Sequence, residues 1–92
     1  MAGKIIVRAE IFKEGNQYVS LCPELNVSSF GDTPEDAKKS LSEAVSLFFE
    51  ECQEMGTLDD ILREAGFVFL DKEWISPEPV IMEKLGLELA RV

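Results

Sequence analysis

The sequence predicts an α+β fold: a three-stranded antiparallel meander, a long helix packed on that sheet, a short second helix, a fourth strand and a strand-like C-terminal arm, in the order β-β-β-α-α-β-β. Three observations carry this expectation. Residues 4–13 and 17–21 alternate with the period of two that marks a strand with one buried face. A capped apolar stripe at helical spacing follows, beginning at Thr33 and stopping at Gly56. Beyond it come the short apolar run at 67–70 and a second alternating stretch at 84–92. The 92 residues suit one domain, and a hydrophobic fraction of 46% is that of a globular chain rather than a disordered one. A chain this short buries only about 60–65% of its unfolded surface, so association would help it. The expected organisation is an α+β domain over 1–72 and an oligomerisation arm over 73–92.

In the first strand, Ile5, Val7, Ala9 and Ile11 point one way and Ile6, Arg8, Glu10 and Phe12 the other. Glu14-Gly15-Asn16 supplies a turn, because Gly15 and Asn16 tolerate positive φ. The next strand puts Val19 and Leu21 on one face and closes a hairpin. Pro23, with no N–H to donate, ends its ladder. Residues 26–30 make the third strand, which Gly31 closes.

Thr33 fits the N-cap of the long helix and Pro34 its first position, where a missing N–H costs nothing. Glu35 and Asp36 place negative charge at the positive end of the helix dipole. Ala37, Leu41, Ala44, Val45, Phe48 and Cys52 then recur on one face, with Leu47 and Phe49 beside them. Thr57 can cap a second helix with Asp59 and Asp60 in its first turn and Leu58, Ile61, Leu62 and Ala65 as its apolar face, stopped by Gly66. Residues 67–70 are too few for a helix and aromatic-rich, which suggests a strand buried on both faces. Pro77 and Pro79 forbid regular structure around them. In the final strand Leu85, Leu87 and Leu89 oppose Lys84, Glu88 and Ala90, with Gly86 as a weak point.

Charge and composition exclude several functions. Nine Lys and Arg against 18 Asp and Glu leave a net charge of −9, the wrong sign for unaided binding to nucleic acid or to an anionic membrane. The chain has no histidine, which removes the commonest general base and every Ser-His or Cys-His nucleophile. Cys22 and Cys52 stand far apart with no second Cys at metal-ligand spacing, so no zinc site is expected. Two free thiols are the first reading of this pair, with a disulfide left open. No glycine-rich phosphate loop appears, and no cofactor is expected. Neither a signal peptide nor a stretch approaching about 18 apolar residues is present, so a cytoplasmic protein is expected.

Cys22-Pro23-Glu24-Leu25, the short strand after it, and Gly31-Asp32-Thr33-Pro34-Glu35-Asp36-Ala37 at the helix start form one pattern. It resembles the hallmark of the HicB-like antitoxin family, with Asp36 in place of the usual second Glu, and the similarity spans residues 4–51. The resemblance implies a partial ribonuclease H-like fold, in which a further strand lies beside the first. It also implies that the chain binds and neutralises a small basic RNA-cleaving toxin. Many members of the family carry a C-terminal DNA-binding segment. Here the chain after Leu70 is too short for a helix-turn-helix and is interrupted by Ser76-Pro77-Glu78-Pro79. A final strand likewise leaves no room for a ribbon-helix-helix, and operator binding is not expected.

A ribonuclease H-type centre would need carboxylates converging on two metal ions. The available acids are Glu10, Glu43, Glu50 and Asp71, of which Glu10 lies opposite the apolar strand face and Glu43 and Glu50 lie off the helix stripe. The expectation is therefore binding without catalysis. The expected partner surface is the outer face of the meander, with Ile6, Arg8, Glu10, Phe12, Tyr18 and Ser20, and Phe30 beside them. The alternative is that its apolar members pack under loops or against the arm. Trp74, Ile75, Val80, Met82, Leu85, Leu87 and Leu89 are the expected oligomer interface, as a strand added to a neighbour's sheet edge in a homodimer or larger assembly. The alternative here is an arm folded back over its own sheet. A second functional reading is a solitary oligomeric domain of the same fold that binds another protein or a small ligand.

Overall fold

The computed structural model describes residues 3–90, so Arg91 and Val92 of the expected last strand lie outside the described residues. The architecture is α+β, with two helices and two three-stranded sheets among the described residues. In chain order the elements are β1 (Lys4–Ile6), β2 (Glu10–Glu14), β3 (Gln17–Cys22), β4 (Val27–Gly31), α1 (Pro34–Met55), α2 (Leu58–Glu64), β5 (Val68–Leu70) and β6 (Glu73–Ile75). The meander β2-β3-β4 is antiparallel throughout. The other sheet has the order β1-β6-β5, with β6 parallel to β1 and antiparallel to β5.

The locally coded features stand as expected. Glu14 pairs with Gln17 across a two-residue turn in which Gly15 takes a φ of 63°. Thr33 is the N-cap of α1, its side-chain oxygen accepting from the Asp36 amide at 3.0 Å, and Pro34 occupies the first turn. Gly56 ends the helix in the left-handed region at φ 70°, and its amide reaches back to the Cys52 and Gln53 carbonyls. At α2 the expected side-chain cap is not made. The Thr57 hydroxyl instead donates to the Cys52 carbonyl at 3.3 Å, tying the second helix to the end of the first.

Four expectations are corrected. The single first strand is two, because residues 7–9 join no ladder. The Arg8 amide, which a continuous strand would use in a ladder, donates to Glu24 Oε2 at 3.2 Å, and the chain passes there from one sheet to the other. Residues 67–70 are not a strand buried on both faces. Phe67 is buried ahead of it, whereas Val68, Phe69 and Leu70 form an edge strand and are about half exposed. The strand that lies beside the first is β6, in a stretch expected to begin the arm. Asp71 and Lys72, at φ 49° and 65°, make the two-residue turn into it. Finally, residues 76–90 form neither helix nor strand, since none of the described residues pairs with the alternating residues 84–90. Glu73, Trp74 and Ile75, the first residues of the expected arm, are the middle strand of a sheet.

The core has two centres. Leu41 and Val45 of α1 pack with Cys22 in one, and Leu62, Phe67 and Trp74 form the other. Val7, Leu25 and Phe49 pack against both. Close approach fixes where α1 begins: a Cβ on Gly31 would stand 2.5 Å from the Ala37 nitrogen and 2.7 Å from the Asp36 Cβ. Beside it, the buried Ser20 hydroxyl donates to the Ala37 carbonyl at 2.7 Å.

Gly31→Ala is expected to destabilise the protein by about 1–3 kcal/mol, because backbone and not a flexible side chain must yield. Urea unfolding at constant m-value checks this. Lys72→Gly should raise stability by roughly 1 kcal/mol, since a side chain in the left-handed region is strained there and glycine is not. The same unfolding curve measures it, and the midpoint should move up.

Candidate functional site

Strand register decides which side chains share the outer face of the meander. Ser20 and Cys22 are buried toward α1, so the residues alternating with them on β3, Val19 and Leu21, point away from the helix. Cross-strand pairing sets Phe12 and Phe30 on either side of Val19, and Glu10 and Ser28 on either side of Leu21. Phe12 is 51% exposed and Phe30 61%, so an apolar row Phe12–Val19–Phe30 crosses the open face with Glu10 beside it.

Of the six residues expected on this face, the structure keeps Glu10 and Phe12 together and separates the rest. Tyr18 and Ser20 lie on the helix side, because the alternation of β3 has the opposite phase. Ile6 belongs to the other sheet, paired with Ile75. Arg8 sits between the sheets, its Nε 3.7 Å from Oε1 of the buried Glu24 carboxylate and its Nη2 donating to the Pro77 carbonyl at 3.3 Å. Val19 was not expected in the patch. Its signal was present in the turn: a two-residue turn after Glu14 places Gln17 opposite it, and counting back puts Val19 opposite Phe12.

The expected oligomer residues divide in the same way. Trp74 is a core residue, because β6 is a middle strand. Its ring lies 5.1 Å from that of Phe69, and the Arg63 guanidinium stands 5.6 Å from its centroid. Ile75 is half-buried in the same strand. Val80, Met82, Leu85, Leu87 and Leu89 are exposed, as is Ile81.

A cleft of about 980 Å³, which no sequence feature announced, opens between the end of α1, α2 and the β1-β6-β5 sheet. Phe49, Phe69 and Trp74 supply apolar walls, and Gln53, Arg63 and Lys72 supply polar ones. The acids considered for a nuclease centre are spread over three places in the fold, Glu10 on β2, Glu43 and Glu50 on α1 and Asp71 in the β5–β6 turn. No group of three or more metal-ligating residues comes together among the described residues. None of the described helices is long and apolar enough to cross a membrane.

Cys22 and Cys52 are both free and buried. Burial pushes the Cys22 thiol up, reinforced by the Glu24 carboxylate and partly offset by the Leu25 amide and Arg8. Comparison with family models, with curated proteins and with solved structures gives no match to this chain.

The raised Cys22 pKa links stability to alkaline pH with a definite sign. Below the ordinary thiol value of 9.0 both folded and unfolded chains hold the proton. Above it the unfolded chain ionises first, so stability falls as pH rises toward the folded-state value. Denaturant midpoints measured at pH 8 and pH 10 should fall further in the natural protein than in Cys22→Ala, with the difference between the two slopes as the readout.

Proposed function

We propose that this chain is a HicB-like antitoxin-type protein that acts in the cytoplasm by covering a small basic RNA-cleaving toxin, with no catalysis and no direct contact with nucleic acid. The observation that carries this reading is the exposed Phe12–Val19–Phe30 row on a chain of net charge −9. Aromatic side chains are enriched at the centres of protein interfaces, and an apolar row flanked by charge has the make-up of one. The acidic surface speeds encounter with a basic protein and competes with RNA for the same cationic residues. Support from the sequence is the Cys-Pro-Glu-Leu and Gly-Asp-Thr-Pro-Glu-Asp-Ala pattern, whose parts form the β3–β4 turn and the capped start of α1.

One observation favours a second reading, a solitary binding domain for a small ligand. The cleft has the size and the mixed apolar and polar walls of such a site, and it lies on the other sheet.

The test is RNA cleavage by a basic toxin encoded beside the gene, titrated with this chain. Stoichiometric suppression of cleavage is expected. The double variant Phe12→Asp/Phe30→Asp should weaken inhibition about 30-fold, the loss typical of removing an interface hot spot. Undiminished cleavage in the presence of the folded chain overturns the reading.

A further inference from the structure

The C-terminal arm and the edge of β5 are complementary halves of one interface. Residues 76–90 project from the domain. The radius of gyration is 16.2 Å and the longest dimension 58 Å, against about 12 Å for the radius of gyration of a compact chain of this length. Val80, Ile81, Met82, Leu85, Leu87 and Leu89 are each 69–99% exposed, so the arm's own domain does not cover them. Meanwhile, among the described residues, β5 pairs only with β6, and its other edge is open. Both of its faces are apolar there, Val68 and Leu70 on one and Phe69 on the other, and Val68 and Phe69 both line the cleft. An arm strand at this edge meets apolar neighbours whichever face its leucines take.

The geometry directs the arm away from its own β5. The arm leaves β6 after Ile75, which is paired with Val68, so reaching the open edge in the same molecule requires crossing β5 and reversing direction. Pro77 and Pro79 hold Ser76 and Glu78 extended and oppose that reversal. The departure is also pinned: Arg8 holds the Pro77 carbonyl, and the Pro77 ring lies against Gly66, where an added Cβ would be 3.3 Å from its Cγ.

We infer that residues 84–90 of one chain add as a strand to the β5 edge of a second copy, and that the exchange is reciprocal. A twofold arrangement removes the donor strand and the acceptor edge of both chains together, which a different partner on either surface alone would not do. The area is sufficient. Leu85, Leu87 and Leu89 at roughly 100 Å² each, matched by the surface that receives them and repeated in the reciprocal contact, give about 1,200 Å², the lower end of a stable interface. The apolar row proposed to meet a toxin is on the other sheet, so this inference stands or falls separately from that reading.

The full chain should show the mass of two copies by light scattering at micromolar concentration, and alternate amides among residues 84–90 should be protected from hydrogen exchange. The double change Leu87→Pro/Glu88→Pro, which removes a ladder N–H whichever way the arm strand faces, should give a monomer with unprotected arm amides and unchanged helical circular dichroism. Should that variant fail to fold, the triple change Leu85→Ser/Leu87→Ser/Leu89→Ser makes the same test by removing the apolar face. A monomeric natural protein overturns the inference, whether its arm amides are protected by folding back or unprotected. A dimer that survives either variant also overturns it, because the contact then lies elsewhere.

Discussion

One helix has to serve two sheets. No strand of the meander pairs with a strand of β1-β6-β5, so their relation depends on what α1 and the side chains beside it hold in place. Leu41 and Val45 pack with Cys22 beneath the meander, and Phe49, one turn further along α1, packs against both core centres. Val7 and Leu25 complete the bridge from the connecting segment and the β3–β4 turn. Burying an aliphatic side chain of this size contributes about 1.5–3 kcal/mol, so these few residues hold much of the thin margin that a small domain has. The placement of α1 therefore governs both cores, and Gly31 and the Ser20–Ala37 hydrogen bond set that placement at its N-terminal end.

Polar chemistry reinforces the bridge at one point. Arg8 interrupts what would otherwise be a single long strand. Its amide and guanidinium both engage the buried Glu24 carboxylate, while a second nitrogen of the same guanidinium holds Pro77. One side chain thus touches the turn of one sheet and the outgoing arm of the other. Removing one partner from such a pair leaves an uncompensated charge in a poorly solvated place, which is costlier than never having built the pair. The same carboxylate helps to keep the neighbouring Cys22 thiol protonated.

Apolar surface left outside the core gathers in separate places: the Phe12–Val19–Phe30 row, the β5 edge with its cleft, and the arm. Each combines exposure with a regular backbone or with alternating side chains, the conditions under which another chain can be bound along its length. A net charge of −9 keeps like molecules apart at long range, so association between copies has to rely on close apolar contact. Contact with a basic partner gains from charge at every distance. The two kinds of surface therefore answer to different forces.

Much of this was legible without coordinates because it is local. The Thr33 cap, Pro34, the apolar stripe of α1 and its stop at Gly56 depend on neighbours within a few residues, and so does the Gly15-Asn16 hairpin. What tertiary structure alone decided is non-local. The split of the first strand at Arg8 needs Glu24, sixteen residues away. The use of Trp74 as a core residue needs β1 beside β6, and the Asp71-Lys72 turn into that strand carries no glycine to announce it. The outward face of β3 follows from which side α1 covers, so Ser20, a polar residue, is buried while Phe12 and Phe30 are not. Alternation specifies that two faces exist, and only the packing of a distant element selects the one that is buried.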